Sequence, residues 1–293
     1  MSLDEPSFIE ALAATPLLQR AAWAGALAGL SCASLSPLVV LRRMAFIGDG
    51  MAHSAFGGLG LALFVLAGSR YEDFSVQAVT LGFCLLVAVA IGVASRRGEA
   101  AAMAEDSAIG IGFSVSMALG ALFIALRQRR EPQYMTSMDT FLFGNLVNIG
   151  TGDVVLLCAV ALLVLAVLVL FHKEMLFYSF DARLAEASGI NTALFHYLFL
   201  LLLVLTVVLA SRVVGIVLVS ASLVLPGVIG LKVCSRLVPA MVAAAVTGVV
   251  SFELGLYGSY RFNVPPGAAI VLVQFVILLL ATVLERLRSP QAE

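Results

Sequence analysis

Long apolar stretches, separated by short polar segments, dominate the hydrophobic pattern of the chain from residue 18 onwards. Nine of these stretches are 19 to 24 residues long: 18–41, 44–67, 74–95, 107–126, 153–171, 192–210, 213–231, 237–257 and 266–284. A helix of about 20 residues crosses the hydrocarbon core of a bilayer. The pattern therefore predicts an all-α, polytopic integral membrane protein with eight to nine transmembrane helices.

The pattern divides the chain into an N-terminal lead at 1–17, a single transmembrane domain at 18–288 and a C-terminal tail at 289–293. Within the domain, 135–150 is too short and too polar to cross a membrane, so we expect a re-entrant or interfacial helix there. Lysine and arginine are more frequent on the cytoplasmic side of membrane proteins. That rule places one set of basic residues inside and the amino end outside: Arg42, Arg43, Arg96, Arg97, Lys173, Arg183, Lys232, Arg236, Arg286 and Arg288.

Composition agrees with a membrane protein and narrows the functional classes. The chain has 293 residues, of which 61% are hydrophobic and 12% charged, whereas soluble domains are about 25% charged. The formal net charge of −1 offers no basic surface for nucleic acid. The only two lysines, Lys173 and Lys232, do not complete a phosphate-binding loop. If ATP powers this protein, a separate subunit must bind it.

An acid and a histidine interrupt the second apolar stretch. Asp49 and His53 are four residues apart, so they share one face of a helix. His53 follows Arg43 by ten residues, about 15 Å of helix rise, which places the pair near the middle of the membrane. Ionisable residues at that depth are costly and are usually functional. A carboxylate and an imidazole suit zinc, manganese or ferrous iron, so we expect a metal path here rather than a packing contact.

Other polar residues in apolar stretches are weaker candidates. Glu253 is predicted to lie in an external vestibule or to pair with Arg212 or Arg261, while His172 and His196 are expected at membrane edges. Pro226 should kink the seventh stretch, because proline removes a helical hydrogen bond. The four cysteines are widely spaced and are expected to be packing residues: Cys32, Cys84, Cys158 and Cys234.

A short helix is predicted at 180–189, between two apolar stretches. Asp181 suits its N-cap, and Gly189 suits the position just beyond its C-terminus. Such a short helix is unstable alone in water. Its position on the predicted cytoplasmic side favours docking into another protein over a plain linker.

Four segments together resemble the membrane permeases of bacterial ATP-binding-cassette (ABC) importers for zinc, manganese and iron. Residues 41–55 are similar to the family's Arg-Arg, Gly-Asp and His-Ser pattern. Residues 180–190 resemble its coupling helix, 214–227 its proline-containing helix, and 255–270 its Gly-Leu-x-x-Ser-Tyr turn. The segments occur in the family's order and cover nearly the whole chain.

The resemblance implies a permease of the bacterial inner membrane that works as a homodimer in the lipid bilayer. Its partners would be a cytoplasmic ATP-binding subunit and a metal-carrying solute-binding protein, with no permanently bound cofactor. Asp49 and His53 fall on positions associated with the metal path. The residues implied in coupling to the ATPase are Asp181, Arg183, Glu186 and Gly189.

The motif at residues 41–55 is slightly more similar to the zinc members of the family than to the others. Zinc is therefore the expected cargo, with manganese or iron as alternatives. Asn263 stands where the family often has Asp. The rival hypothesis is a stand-alone secondary carrier in which Asp49 and His53 relay protons, but such a carrier needs no docking helix. A membrane scaffold without transport activity is disfavoured by the ionisable pair. None of these functions makes the chain an enzyme.

Overall fold

The computed structural model describes residues 8–66, 73–95, 101–131, 144 and 149–288, and these ranges contain helices but no strand. The helices are α1 (Phe8–Ala14), α2 (Pro16–Leu41), α3 (Ala45–Val65), α4 (Asp73–Ser95), α5 (Ala101–Arg130), α6 (Thr151–Leu170), α7 (His172–Phe180), α8 (Ala182–Ala187), α9 (Thr192–Val214), α10 (Ile216–Ser222), α11 (Leu225–Val233), α12 (Leu237–Phe262) and α13 (Pro266–Arg288).

Eight helical segments of the described chain are long and apolar enough to cross a membrane. They are Pro16–Leu41, Ser75–Ala94, Ser107–Arg130, Thr151–Leu170, Thr192–Val214, Ile216–Val233, Leu237–Phe262 and Pro266–Leu287. This number confirms the predicted fold class. The remaining apolar stretch, 44–67, forms α3, whose hydropathy is lowered by Asp49, His53 and five glycines.

The helices α2 and α3 occupy the centre of the bundle. Helix α2 packs mainly against α12, α6 and α11, and α3 packs mainly against α5, α4, α9 and α10. Leu35 and Met51 are among the fully buried side chains of this core. Outward-facing residues such as Val169 and Leu272 are exposed. An apolar outer face around a helical core is the arrangement that a lipid solvent requires.

Close backbone contact joins α3 to α5. A Cβ atom on Gly57 would lie 2.6 Å from the carbonyl oxygen of Ser116, and one on Gly60 would lie 2.7 Å from that of Gly120. Only glycine permits this approach, because any side chain would displace the neighbouring backbone. The stretch that carries Asp49 and His53 is thus held tightly against one neighbour.

The predicted kink at Pro226 is confirmed as a break between α10 and α11 at Leu223 and Val224. Pro226 lies in the first turn of α11, where its missing N–H is tolerated. The next amide, of Gly227, donates to Ser36 Oγ on α2 at 2.7 Å. Helix α2 therefore supports the backbone at the break.

The expectation for 135–150 lies almost wholly outside the described residues. Gly144 is described, has a φ of 77° and packs against the backbone of Val213 to Gly215. Of the cysteines, Cys32 and Cys84 are buried, and all four are free thiols, in agreement with a packing role.

Candidate functional site

Asp49 and His53 lie on successive turns of α3. At 1.5 Å per residue, Asp49 is about 6 Å and His53 about 12 Å along a helix of about 31 Å. Both residues therefore lie in the half of the helix next to Arg43, and His53 is within about 4 Å of the helix midpoint. The side chain of Asp49 is 50% exposed and that of His53 is 19% exposed. A carboxylate this open, on the central helix of a bundle, must face a cavity or a partner.

The imidazole of His53 is held in one orientation by its own helix. Its Nδ1 lies 2.9 Å from the carbonyl oxygen of Asp49 and 4.0 Å from the Oδ1 atom of the same residue. A carbonyl oxygen only accepts hydrogen bonds, so Nδ1 carries the proton in this contact. In the neutral tautomer with this proton, Nε2 carries the free lone pair, the arrangement found in metal-binding histidines whose second nitrogen donates to a backbone carbonyl.

A groove of about 290 Å³ opens beside Asp49, between α3 and α5. Its lining residues are Phe46, Asp49, Gly50, Ile109, Gly110 and Phe113. The ring of Phe113 contacts that of His53 edge to face, with centroids 4.5 Å apart. Since Phe113 lies on another helix and is an ordinary apolar residue, no signal in the sequence links it to this site.

The glycines near Asp49 make room for the neighbouring helices. Among the glycines of α3, Gly50 lines the groove. A Cβ atom on Gly48 would meet Leu223 at the α10–α11 break, and one on Gly58 would meet the backbone of Thr80. Glycine in this helix therefore serves mainly close helix packing, and Leu223 of the helix break lies against Gly48, which precedes Asp49 in the sequence.

Asp49 and His53 alone supply fewer donors than a complete metal site needs. The described residues contain no cluster of three or more His, Cys, Asp or Glu side chains that could hold a metal ion. One carboxylate and one imidazole leave most coordination positions of a divalent cation open. The arrangement can bind a metal transiently, with the remaining ligands supplied by water or by another chain.

Glu253 lies on α12, away from this pair in sequence, and its side chain is partly buried. Arg212 pairs with Asp153 instead: its Nη1 atom lies 3.8 Å from Asp153 Oδ1, and the Oδ2 atom of the same carboxylate accepts the Gly150 amide. The vestibule role of Glu253 stays a prediction.

The two other histidines have separate environments. His172 is exposed and contacts the carbonyl of Val169. His196 is buried, and its Nδ1 lies 2.6 Å from the hydroxyl oxygen of Tyr178 on α7. Neither lies in the groove beside Asp49, in agreement with the low expectation for both.

The segment 180–189 contains the predicted short helix, α8. Asp181 Oδ1 accepts the amide of Leu184 at 3.0 Å, which confirms the N-cap. Gly189 has a φ of 83°, and the Gly189 and Ile190 amides donate to the carbonyls of Glu186 and Ala185. This is a Schellman ending, in which glycine is the favoured residue. Leu184 is 56% exposed, so the helix presents an apolar side chain outward.

Comparison with known proteins gives consistent results over almost the full chain. The model of the ABC 3 transport family matches residues 14–285. The manganese transport system membrane protein MntC of Listeria monocytogenes is 34% identical over 274 residues, covering 94% of this chain and 92% of that protein. The manganese import system permease protein ScaB of Streptococcus gordonii is 32% identical, covering 94% and 93%.

A solved structure is similar as well. PsaBC from Streptococcus pneumoniae in complex with Fab contains a chain that superposes with a TM-score of 0.78 at 28% identity, and the match covers 94% of both chains.

Proposed function

Because this chain belongs to the ABC 3 transport family, we propose that it carries a divalent metal, manganese first among the candidates, into the cytoplasm along a path through Asp49 and His53. The chain is a multi-pass permease subunit of a metal ABC transporter in the bacterial inner membrane, and it is a transport subunit rather than an enzyme. Membership of an ABC family favours this function over the stand-alone carrier.

The half-exposed Asp49 carboxylate next to an oriented His53 is the observation that carries the metal path. The carboxylate supplies negative charge, and His53 Nε2 supplies a neutral nitrogen donor. Each group alone has an ordinary explanation in a helix bundle. Together they form a donor pair that opens into a groove, on a helix with few other polar side chains.

The choice of manganese rests on the relatives. MntC and ScaB are both named for manganese, whereas the lean towards zinc rests on one short motif. Zinc binds nitrogen and oxygen donors more tightly than manganese does. Selectivity for manganese would therefore depend on delivery and on geometry, and zinc stays the second candidate.

We further propose that the permease acts as a homodimer. Asp49 is half-exposed, and Phe46 beside it is 68% exposed. A two-fold axis next to this groove would bring two Asp49–His53 pairs together and bury these residues. Four protein donors plus water would then suit a divalent ion.

The remaining partners follow from the same proposal. An ATP-binding subunit would dock on α8 through the segment 181–189, in which Asp181, Arg183, Glu186 and Gly189 are the proposed coupling residues. A metal-carrying solute-binding protein would deliver the ion on the opposite face. Glu253 would lie in the entry vestibule, where an unneutralised carboxylate attracts a cation.

Uptake into vesicles that contain the permease with its ATP-binding subunit tests the function. Radioactive manganese should accumulate when ATP and the metal-loaded binding protein are supplied, and a proton gradient without ATP should not replace them. Accumulation driven by the proton gradient alone would instead support the carrier. The decrease in radioactive manganese uptake when unlabelled zinc is loaded on the same binding protein shows which of the two metals the transporter prefers.

A further inference from the structure

Three side chains meet where α2, α7 and α9 converge, at the end of the bundle that also carries α8. The guanidinium of Arg42 stacks over the ring of Tyr178, with its carbon 4.1 Å from the ring centroid. Arg42 Nη1 donates to the carbonyl oxygen of Tyr178 at 3.2 Å. The hydroxyl oxygen of Tyr178 lies 2.6 Å from His196 Nδ1. We call these residues the Arg42–Tyr178–His196 cluster.

Two members of the cluster are buried, and Arg42 is partly buried. Tyr178 is 2% exposed and His196 is 5% exposed. Buried polar side chains that bond one another fix a single arrangement of the elements that carry them, because a broken bond leaves a polar group without water. A planar guanidinium can stack and donate at the same time, which a lysine ammonium cannot do.

One side of the cluster leads to the metal-path helix. Arg42 follows the last residue of α2. Arg43 has a φ of 59°, a backbone conformation that residues other than glycine rarely adopt. The amides of Arg43 and Met44 donate back to Val40 and Val39. Helix α3 begins at Ala45, so this tight turn is followed by Asp49 after one helical turn.

The other side leads to the proposed docking segment. Tyr178 lies in the last turn of α7, three residues before Asp181, the N-cap of α8. The α7–α8 connection is short, and Ala185 of α8 is fully buried. A displacement of α8 must therefore move Tyr178 or break its contacts with Arg42 and His196.

We propose that the Arg42–Tyr178–His196 cluster transmits movement of the docking segment to α3 and thereby sets the position of Asp49 and His53 during transport. The three residues are positioning residues that touch neither metal nor nucleotide. The inference rests on the proposed transport function, since it assumes that an ATP-binding subunit moves α8. It assigns the strained Arg43 turn as the point at which α2 and α3 change their relative angle.

The first test is Tyr178→Phe in the complete transporter reconstituted with its ATP-binding subunit and binding protein. The variant keeps the ring under Arg42 and the backbone carbonyl, and it removes the hydroxyl that contacts His196. The metal transported per ATP hydrolysed should fall about fivefold, the effect of one buried hydrogen bond on a two-state equilibrium. Assembly and ATP hydrolysis should be retained. Tyr257→Phe, at the far end of α12, is the matched control.

Two further variants separate coupling from general damage. Arg42→Lys keeps the charge but removes the planar guanidinium that stacks on Tyr178, so it should lower the amount of metal transported per ATP hydrolysed. Arg236→Lys, at an exposed arginine, is the control and should leave this ratio unchanged. In a double-mutant cycle, Tyr178→Phe with His196→Leu should be no worse than either single change, because both remove one shared bond. Simple misfolding would lower hydrolysis and transport together and leave their ratio unchanged.

Wild-type ratios in both Tyr178→Phe and Arg42→Lys would overturn the proposed link. That failure is distinguishable from failure of the transport function, because Asp49→Asn would still abolish uptake in the same vesicles. Uptake that persists in Asp49→Asn would instead reject the metal path itself.

Discussion

At the scale of single residues, Asp49 and His53 divide the proposed chemistry between charge and orientation. The carboxylate offsets the charge of a cation that has left water, and the backbone contact of His53 directs Nε2 away from its own helix. Their i, i+4 spacing on one helix brings them together, which is why the sequence alone was enough to predict that they are neighbours.

The substitution Asp49→Asn should abolish most metal uptake while the protein still folds. Asparagine has nearly the same shape, so packing is kept, but the anionic ligand is lost. Uptake should fall by tenfold or more, since even outer-shell changes at metal sites cost about 10–100-fold. Uptake of manganese into vesicles measures the loss. Asp153→Asn, at the start of α6 and outside the groove beside Asp49, is the control: the amide oxygen can still accept the Gly150 N–H, and uptake should stay near the wild-type rate.

At the scale of helices, the contact between α3 and α5 depends on the absence of side chains. Gly57→Ala should destabilise the protein by about 1–3 kcal/mol, the usual cost of overpacking, because the new methyl group would press on the Ser116 carbonyl. The apparent Tm in detergent should fall accordingly. Gly82→Ala on α4 is the control: nothing lies within 4 Å of its Cβ position. An equal loss in both variants would contradict this account of the contact.

The docking role of α8 also belongs to the scale of helices. The combined charge reversal Arg183→Glu and Glu186→Arg leaves the N-cap, the Schellman ending and the net charge intact. It should uncouple ATP hydrolysis from uptake or release the ATP-binding subunit. Co-purification of that subunit, together with the uptake rate, reports the effect. Lys173→Glu, an exposed residue on α7, is the control, and normal coupled uptake in the double variant would reject the docking role.

At the scale of the whole molecule, the question is whether one chain forms the metal site alone or two copies share it. The described part of a single chain offers two donors and an open groove. If two copies share one metal site, a transporter with one Asp49→Asn copy and one wild-type copy should lose well over half of its uptake. Two independent sites would retain half. Sequential purification through a different tag on each copy isolates the mixed complex for this measurement.

The sequence by itself determined the features that depend on local spacing. Apolar stretches of bilayer length identified the spanning helices, and the i, i+4 relation identified Asp49 with His53. Capping chemistry identified Asp181 and Gly189, and the fixed φ of proline identified the break near Pro226. In each case the physical cause lies within a few residues of chain, so no knowledge of the neighbours is required.

Tertiary structure alone decided which surfaces meet. It showed which helix each glycine of α3 packs against, that Arg212 pairs with Asp153, and that Arg42 stacks on Tyr178, 136 residues away. Every apolar stretch in a membrane protein has much the same composition. The identity of a helix's neighbours therefore depends on small differences in shape, and these become visible only when the helices are packed.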